Sequence, residues 1–334
     1  MSATLSLAVD VMGGDIGPTV TVPAVLSFLS YRPEAKVFLV GDESQILKHL
    51  GSEVAESIRA RIEIVHASEV VTMDDKPSTA LRTKKDSSMR VAINLVRDGR
   101  AKACVSAGNT GALMAISRFV LKTHPKIDRP AICTSIPTMT GFCYMLDLGA
   151  NVDCSAEHLH QFALMGNVLA RALSDLENPK VGLLNIGEEE IKGNDQVKAA
   201  HELLSASDHF NYIGYVEGDG VFSGEADVVV CDGFVGNVAL KSSEGVAKLI
   251  QSFLKEEFTR TWYTKLMAFI AMPVLKGLKK RLDPGRYNGA SLVGLQGIVV
   301  KSHGNADKSG FKHALFVAAE QVAKDVPGLI SREL

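Results

Sequence analysis

This 334-residue sequence lacks the marks of several large protein classes. It has no basic excess: the formal net charge is −2, which argues against nucleic acid as the main partner, because phosphate backbones demand a surplus of Lys and Arg. Its five cysteines (Cys104, Cys133, Cys143, Cys154, Cys231) form no Cys-x-x-Cys pair. Buried thiols in a reducing cytoplasm explain them, and a zinc site finds no support. No run of about 18 apolar residues exists to span a bilayer. The start, Met1-Ser-Ala-Thr-Leu-Ser6, has no basic stretch leading into an apolar one, so no secretory signal is expected. There is no Gly-x-Gly-x-x-Gly, since Gly218-Asp-Gly-Val-Phe-Ser-Gly224 has the wrong spacing, and no Walker A lysine. Cys104 stands where a nucleophile elbow needs glycine, which weakens Ser106 as a hydrolase nucleophile. His158 and His160 fall on different faces of an expected helix, so they make no metal pair. Neither a metal nor an organic cofactor is expected.

What is present is an ordinary globular composition, 46% hydrophobic and 22% charged, with one recurrent local grammar. The clearest case is Ala103-Cys-Val-Ser-Ala-Gly-Asn-Thr-Gly-Ala-Leu-Met114. A short apolar strand breaks at a small-residue turn and re-emerges with helical spacing. Such a turn aims backbone N–H groups and the positive end of the helix dipole at one spot. Gly108 and Gly111 let a ligand approach, and Ser106, Asn109 and Thr110 add side-chain donors. The chemistry is that of an anion site, most simply for phosphate; an unliganded strand–helix connection capped by Asn109 or Thr110 is the alternative.

The grammar recurs along the chain. Leu5–Val11 is a strand running into Met12-Gly-Gly-Asp-Ile-Gly-Pro18, where Asp10 and Asp15 bracket Gly13 and Gly14, and a helix follows to about Ser30. Lys36–Gly41 and Arg61–His66 are further strands, and 73–88 is a polar connection carrying Arg82, Lys84 and Lys85. Arg129–Pro137 and Phe142–Gly149 form a hairpin, so the sheet is mixed; a helix from Ala156 to Ser174 follows the Ala150-Asn-Val-Asp153 turn. Val181–Gly187 leads through Lys192 to another helix. Ala226–Lys241 is a strand–turn–helix in which Asp232, Asn237 and Lys241 surround the glycines, and Asn237 and Lys241 share a helix face. Tyr287–Gly297 reads as a loop, Ile298–Ser302 as a strand ending at His303, and Ala306–Lys324 as the last helix.

The stretch 254–286 differs in character. From Thr264 to Leu282 it has five basic residues (Lys265, Lys276, Lys279, Lys280, Arg281) and no acid, with Leu266, Phe269, Ile270 and Leu275 on a broad apolar face and Pro273 dividing the helix. It fits a segment lying in a membrane interface, or a helical hairpin packed against a dimer partner.

Asp10-Val-Met-Gly-Gly-Asp15, Ser106-Ala-Gly-Asn-Thr-Gly-Ala112, Leu146-Asp-Leu-Gly-Ala-Asn-Val-Asp153, Leu184-Asn-Ile-Gly-Glu-Glu188, Cys231-Asp-Gly-Phe-Val-Gly-Asn-Val238 and Lys301-Ser-His-Gly304 stand in order along nearly the whole chain. Together they resemble the phosphate acyltransferase family of bacterial phospholipid synthesis. The resemblance implies an α/β three-layer sandwich with a mostly parallel, mixed sheet, like isopropylmalate dehydrogenases and phosphotransacetylases. It would be a single catalytic domain over 1–334 with an amphipathic helical insertion at about 254–286. It implies a cytoplasmic homodimer, peripherally attached to the inner face of the cell membrane, which agrees with the apolar face carrying Leu266, Phe269, Ile270 and Leu275. Its reaction moves a long-chain acyl group from acyl carrier protein to inorganic phosphate, and a membrane glycerol-3-phosphate acyltransferase uses the product.

On that resemblance Asp10, Gly13, Gly14, Asp15, Ser106, Gly108, Asn109, Thr110, Gly111 and Asn151 are the expected phosphate-binding set. Lys192, backed by Lys241, would polarise the carbonyl or steady phosphate, Asn237 would lie nearby, Asp232 would orient the cations, and His303 would protonate the leaving thiolate. No covalent acyl-enzyme is needed for phosphate to attack a thioester directly. The rivals are a dehydrogenase on the same fold and a non-catalytic scaffold for carrier protein or lipid.

Overall fold

The computed structural model describes residues 5–15, 17–282 and 284–334. The first four residues and the side chains of Lys279, Lys280 and Arg281 lie outside the described residues. The chain begins β1 (Ser6–Asp10), α1 (Pro18–Tyr31), β2 (Lys36–Gly41), α2 (Glu43–Leu50), α3 (Glu56–Arg59), β3 (Ile62–His66), α4 (Pro77–Thr83), α5 (Ser88–Arg97), β4 (Ala103–Ser106) and α6 (Thr110–Leu121). It continues with β5 (Ala131–Pro137), β6 (Phe142–Leu146), α7 (Ala156–Ser174), β7 (Lys180–Leu184), α8 (Asp195–Ser205), β8 (Asn211–Val216), α9 (Gly220–Ser223) and β9 (Val228–Val230). The long α10 (Gly233–Thr259), α11 (Trp262–Ile270) and α12 (Met272–Leu282) follow, then β10 (Ala290–Val293), β11 (Ile298–Lys301), α13 (Lys308–Ala323) and α14 (Val326–Glu333).

The strands form one sheet in the order β3-β2-β1-β4-β11-β10-β5-β6-β9-β7-β8. Pairing is parallel except at β11–β10, β10–β5 and β5–β6. Three successive reversals turn β6, β9, β7 and β8 opposite to β1 and β4. Alternation along the strands supplies both faces. Ala8, Cys104 and Val299 point towards α4, α5 and α6. Leu7, Val9, Val105 and Val300 point towards α1 and α13, and Leu146, Val181 and Val230 towards α7 and α14. This is the expected sandwich of helices, mixed sheet and helices.

Helix starts follow local chemistry. Asp42, Asn109, Asn194, Asp232 and Asp307 each cap a helix by accepting a backbone N–H three residues on, and Ser155 pairs with His158 in a reciprocal cap. Three segments differ from the sequence reading. The polar connection holds α4, begun by Pro77, and the expected loop Tyr287–Gly297 contains β10, whose Ala290–Val293 run is too short to stand out between glycines. The chain closes with α14, which tucks Val326 and Ile330 against α7.

Beyond its first turn α10 leaves the sheet. Only Gly233 and Gly236 of its 27 residues are buried, and none of α11 is. Trp262 and Phe269 are 78% and 75% exposed. α11 ends at Ala271, and Pro273 sits in the first turn of α12, where its missing N–H removes no helical bond.

Candidate functional site

The chemistry gathers where β1, β4 and β11 end side by side. Asp10, Ser106 and Lys301 occupy matching positions in the three strands. Asp10 is buried: one carboxylate oxygen accepts the Ser106 hydroxyl at 2.6 Å, the other the Ser88 hydroxyl at 2.6 Å. Burial raises the Asp10 pKa above the ordinary carboxylate range, and these two hydroxyls oppose the rise. Ser106 Oγ in turn accepts the Gly108 N–H at 3.0 Å, which fixes the turn before α6.

The turn after β1 closes over this cluster. Gly13 lies so close to the Gly108 N–H and the Asp10 carboxylate that a Cβ would fall 2.8 Å and 2.5 Å from them. Gly14 has φ +87° and packs on Ala107 and the Gly304 carbonyl, so glycine is required on both counts. The Asp15 N–H donates to Gly304 O at 2.9 Å, tying the β1 turn to the β11 turn.

Lys301, only 8% exposed, donates from Nζ to the Ala107 carbonyl at 3.1 Å and to the Ser302 carbonyl. Burial pulls its pKa down to about 8, against the attraction of Asp10 and Asp15 and with the repulsion of Lys241. His303 follows on the exposed side; its pKa is lowered by partial burial and by Lys241. Glu244 sits between them, 2.9 Å from Lys241 Nζ and 4.0 Å from His303 Nε2. Asn288 holds the turn by accepting the His303 N–H at 2.8 Å and donating to Ser302 Oγ at 2.8 Å.

A second group follows β6, β9 and β7, which are neighbours in the sheet. Asp147 is buried and accepts the N–H groups of Ile132, Ala150 and Asn151 and the Asn151 side-chain amide. Burial raises its pKa, and these donors oppose the rise. Asn237 lies against Gly149, Asp232 caps α10, and Lys192 is exposed on the turn between β7 and α8, its stem against Gly187. α10 joins the groups: Asn237 lies at the second, and Lys241, about 6 Å further along the helix, reaches the first.

The expected residues therefore divide. Asp10, Gly13, Gly14, Asp15, Ser106, Gly108, Lys241 and His303 are brought together; Lys192, Asn151, Asp232 and Asn237 form the second group. Three of the expected residues spend their donors inside the protein. Ser106 gives its proton to Asp10 and is fully buried, and Asn109 commits its oxygen to the Ala112 N–H and its amide to the carbonyls of Met73 and Asp75. Asn151 likewise gives its amide to Pro130 O and Asp147. These three hold the turns, and the donors left for an anion are the N–H groups of exposed Thr110 and Gly111 in the first turn of α6. Lys84 is also committed, to Asp75 and the Val70 carbonyl.

Lys301 is the residue the sequence reading passed over as a candidate. Its signal was a lysine closing an otherwise apolar strand, Ile298-Val-Val-Lys301, in the chain's interior. Burial lifts the thiol pKa values of Cys104 and Cys231 well above the ordinary value, which removes them as nucleophiles at neutral pH. Among the described residues no group of His, Cys, Asp and Glu is arranged to hold a metal ion, and no helix is long and apolar enough to cross a membrane.

A family model described as a fatty acid synthesis protein matches residues 5–329. The chain is 59% identical to the phosphate acyltransferase of Methylococcus capsulatus over 98% of this chain and 96% of that protein. It is 59% identical to that of Alcanivorax borkumensis over 99% and 97%. Among solved structures, a phosphotransacetylase from Streptococcus pyogenes matches with a TM-score of 0.62 at 17% identity, covering 94% of this chain and 93% of that one. That likeness concerns the fold, whereas the relatives and the family model concern descent: the chain belongs to the fatty acid synthesis protein family, with the bacterial phosphate acyltransferases as its relatives.

Proposed function

We propose that this chain transfers a long-chain fatty acyl group from the thioester of an acyl carrier protein to inorganic phosphate. The observation that carries the reading is the grouping of Lys301, Lys241 and His303 beside the turn that leads into α6, where Lys301 holds the Ala107 carbonyl, within a family of phosphate acyltransferases. Phosphate sits on the Thr110 and Gly111 N–H groups, with the Lys301 ammonium behind it.

One phosphate oxygen attacks the thioester carbonyl. The C–O bond forms, the C–S bond breaks, and the electron pair leaves on sulfur. His303, held neutral near pH 7 by its lowered pKa, takes the phosphate proton and returns it to the thiolate. Lys241 and Asn237 face the charge that develops on the carbonyl oxygen, and Lys192 enters from the second group to polarise it. Asp10 acts through Ser106 and Ser88 by holding the turns in place. The acyl phosphate passes to a membrane glycerol-3-phosphate acyltransferase. The chain works as one catalytic unit over 1–334, as a cytoplasmic homodimer, with Leu266, Phe269, Ile270 and Leu275 resting on the inner face of the cell membrane.

The test is to incubate the protein with acyl-(acyl carrier protein), with and without inorganic phosphate, and to follow free carrier thiol. Phosphate-dependent release with a hydroxylamine-sensitive acyl product is expected. Release without phosphate would make it a thioesterase, and binding without release a scaffold.

A further inference from the structure

The layer formed by α4, α5 and α6 carries a charge unlike the rest of the chain. Residues 76–122 hold ten basic residues and two acidic ones, Asp86 and Asp98, in a protein of net charge −2. Both acids are occupied: Asp98 pairs with Arg97 at 2.8 Å, and Asp86 accepts the Ser68 hydroxyl at 2.6 Å. Lys84 pairs with Asp75 and Arg100 with Glu63. The ion pairs found among the described residues leave out Arg90, Arg118 and Lys122.

Two of them, Arg90 and Lys122, flank one aromatic ring, and Arg118, which donates to the Asp128 carbonyl, lines the groove beside it. Phe119 is 54% exposed on the outer face of α6, with the Arg90 guanidinium 5.2 Å and Lys122 Nζ 4.8 Å from its ring centroid. An open groove of about 460 Å³ beside it is lined by Leu81, Ala115, Arg118, Phe119, Lys122 and Thr123. It runs between α4 and α6. The same two helices meet again at the phosphate turn, where a Cβ on Gly111 would fall 2.8 Å from Pro77 Cγ. From Phe119 to Thr110 is roughly 14 Å along α6 at 1.5 Å per residue.

An apolar ring set among unpaired cations is the pattern of an anchor within a charged rim, and its complement is an acidic protein surface. A long polyanion fits less well, because the chain outside 76–122 carries a net negative charge that repels it. We infer that this groove docks the acidic face of the acyl-donor carrier protein, so that its thioester arm runs along α6 to Thr110 and Gly111. The inference rests on the carrier-protein donor proposed above.

The test compares acyl-(acyl carrier protein) with acyl pantetheine, a protein-free donor of the same thioester. Arg118→Glu with Lys122→Glu is expected to raise the KM for the protein donor by about tenfold or more and to flatten its salt dependence. The kcat/KM for acyl pantetheine stays within about twofold of the parent. Arg118→Gln with Lys122→Gln, which spares the C-terminal end of α6 two negative charges, shows the same selectivity with smaller size. An unchanged KM for the protein donor overturns the docking surface, as does an equal loss with both donors. Loss of binding to anionic vesicles or DNA, with the KM for the protein donor intact, overturns it in favour of those partners. A parent enzyme that turns over acyl pantetheine but not the carrier-bound thioester would instead sink the donor reading.

Discussion

Ser106 gives its hydroxyl proton to Asp10 across 2.6 Å, with both side chains sealed from solvent. The pair is the inner support of the turn before α6, because the same oxygen receives the Gly108 N–H. Ser106→Ala leaves that N–H without a partner and takes one hydroxyl donor from the buried Asp10 carboxylate, a loss of about 1–3 kcal/mol in unfolding free energy by urea titration. Asp10 adds a pH signature. Its folded pKa is raised, so between the ordinary 3.8 and the folded value the folded protein binds the proton more tightly than the unfolded one. Its share of the stability therefore falls as pH rises through that window, and Asp10→Asn removes that component of the slope.

Lys301 makes phosphate use sensitive to alkali. Its ammonium is expected to lose its proton as pH rises through about 8, so the KM for phosphate climbs above that point. Lys301→Met is expected to raise that KM about tenfold or more at pH 7 and to abolish the step in the profile, measured by steady-state thiol release. The same shift gives stability that rises with pH between about 8 and 10.5, where the unfolded chain holds the proton and the folded one does not.

Lys192→Ala and Asn237→Ala are expected each to lower kcat by about a hundredfold or more with unfolding curves unchanged, since both residues are exposed. Rates within a few-fold of the parent would remove the second group from the chemistry.

How far did the sequence reveal these arrangements? The strand-and-helix order was legible because strands such as Val228–Val230 are unbroken apolar runs and helices such as α7 open on a recognisable cap. The site was half legible. Gly13, Gly14 and Ser106 announce a tight turn, but nothing in the sequence shows that Ser106 and Asn109 turn inward to hold it. Lys301 was missed because its role depends on β11 lying beside β4, which pairs positions 106 and 301 across most of the chain. α4 and β10 were missed because each is too short to show a period.

Gly236→Ala tests the seam between α10 and the sheet. A Cβ there would collide with the Asp147 carbonyl and come within 2.7 Å of Cys231 Sγ, neither of which can move away. The expected loss is about 3–5 kcal/mol, which at an unfolding entropy of about 2.1 cal/mol/K per residue lowers Tm by about 4–7 °C.

The apolar arm separates two surfaces experimentally. Phe269→Glu with Ile270→Glu is expected to abolish flotation with anionic vesicles while the elution volume in size-exclusion chromatography stays the same. A change in elution volume with flotation preserved would assign this face to a subunit contact.

α10 runs unbroken from the second group to the base of that arm, about 40 Å of helix at 1.5 Å per residue. It has no proline within it. From Lys241 to Thr259 it is a stiff strut of roughly 27 Å, rooted in the sheet by two glycines. Whatever surface holds the arm therefore also sets the bearing of the phosphate turn: the mouth of the site keeps a fixed height and heading above its support, like an instrument on a mast.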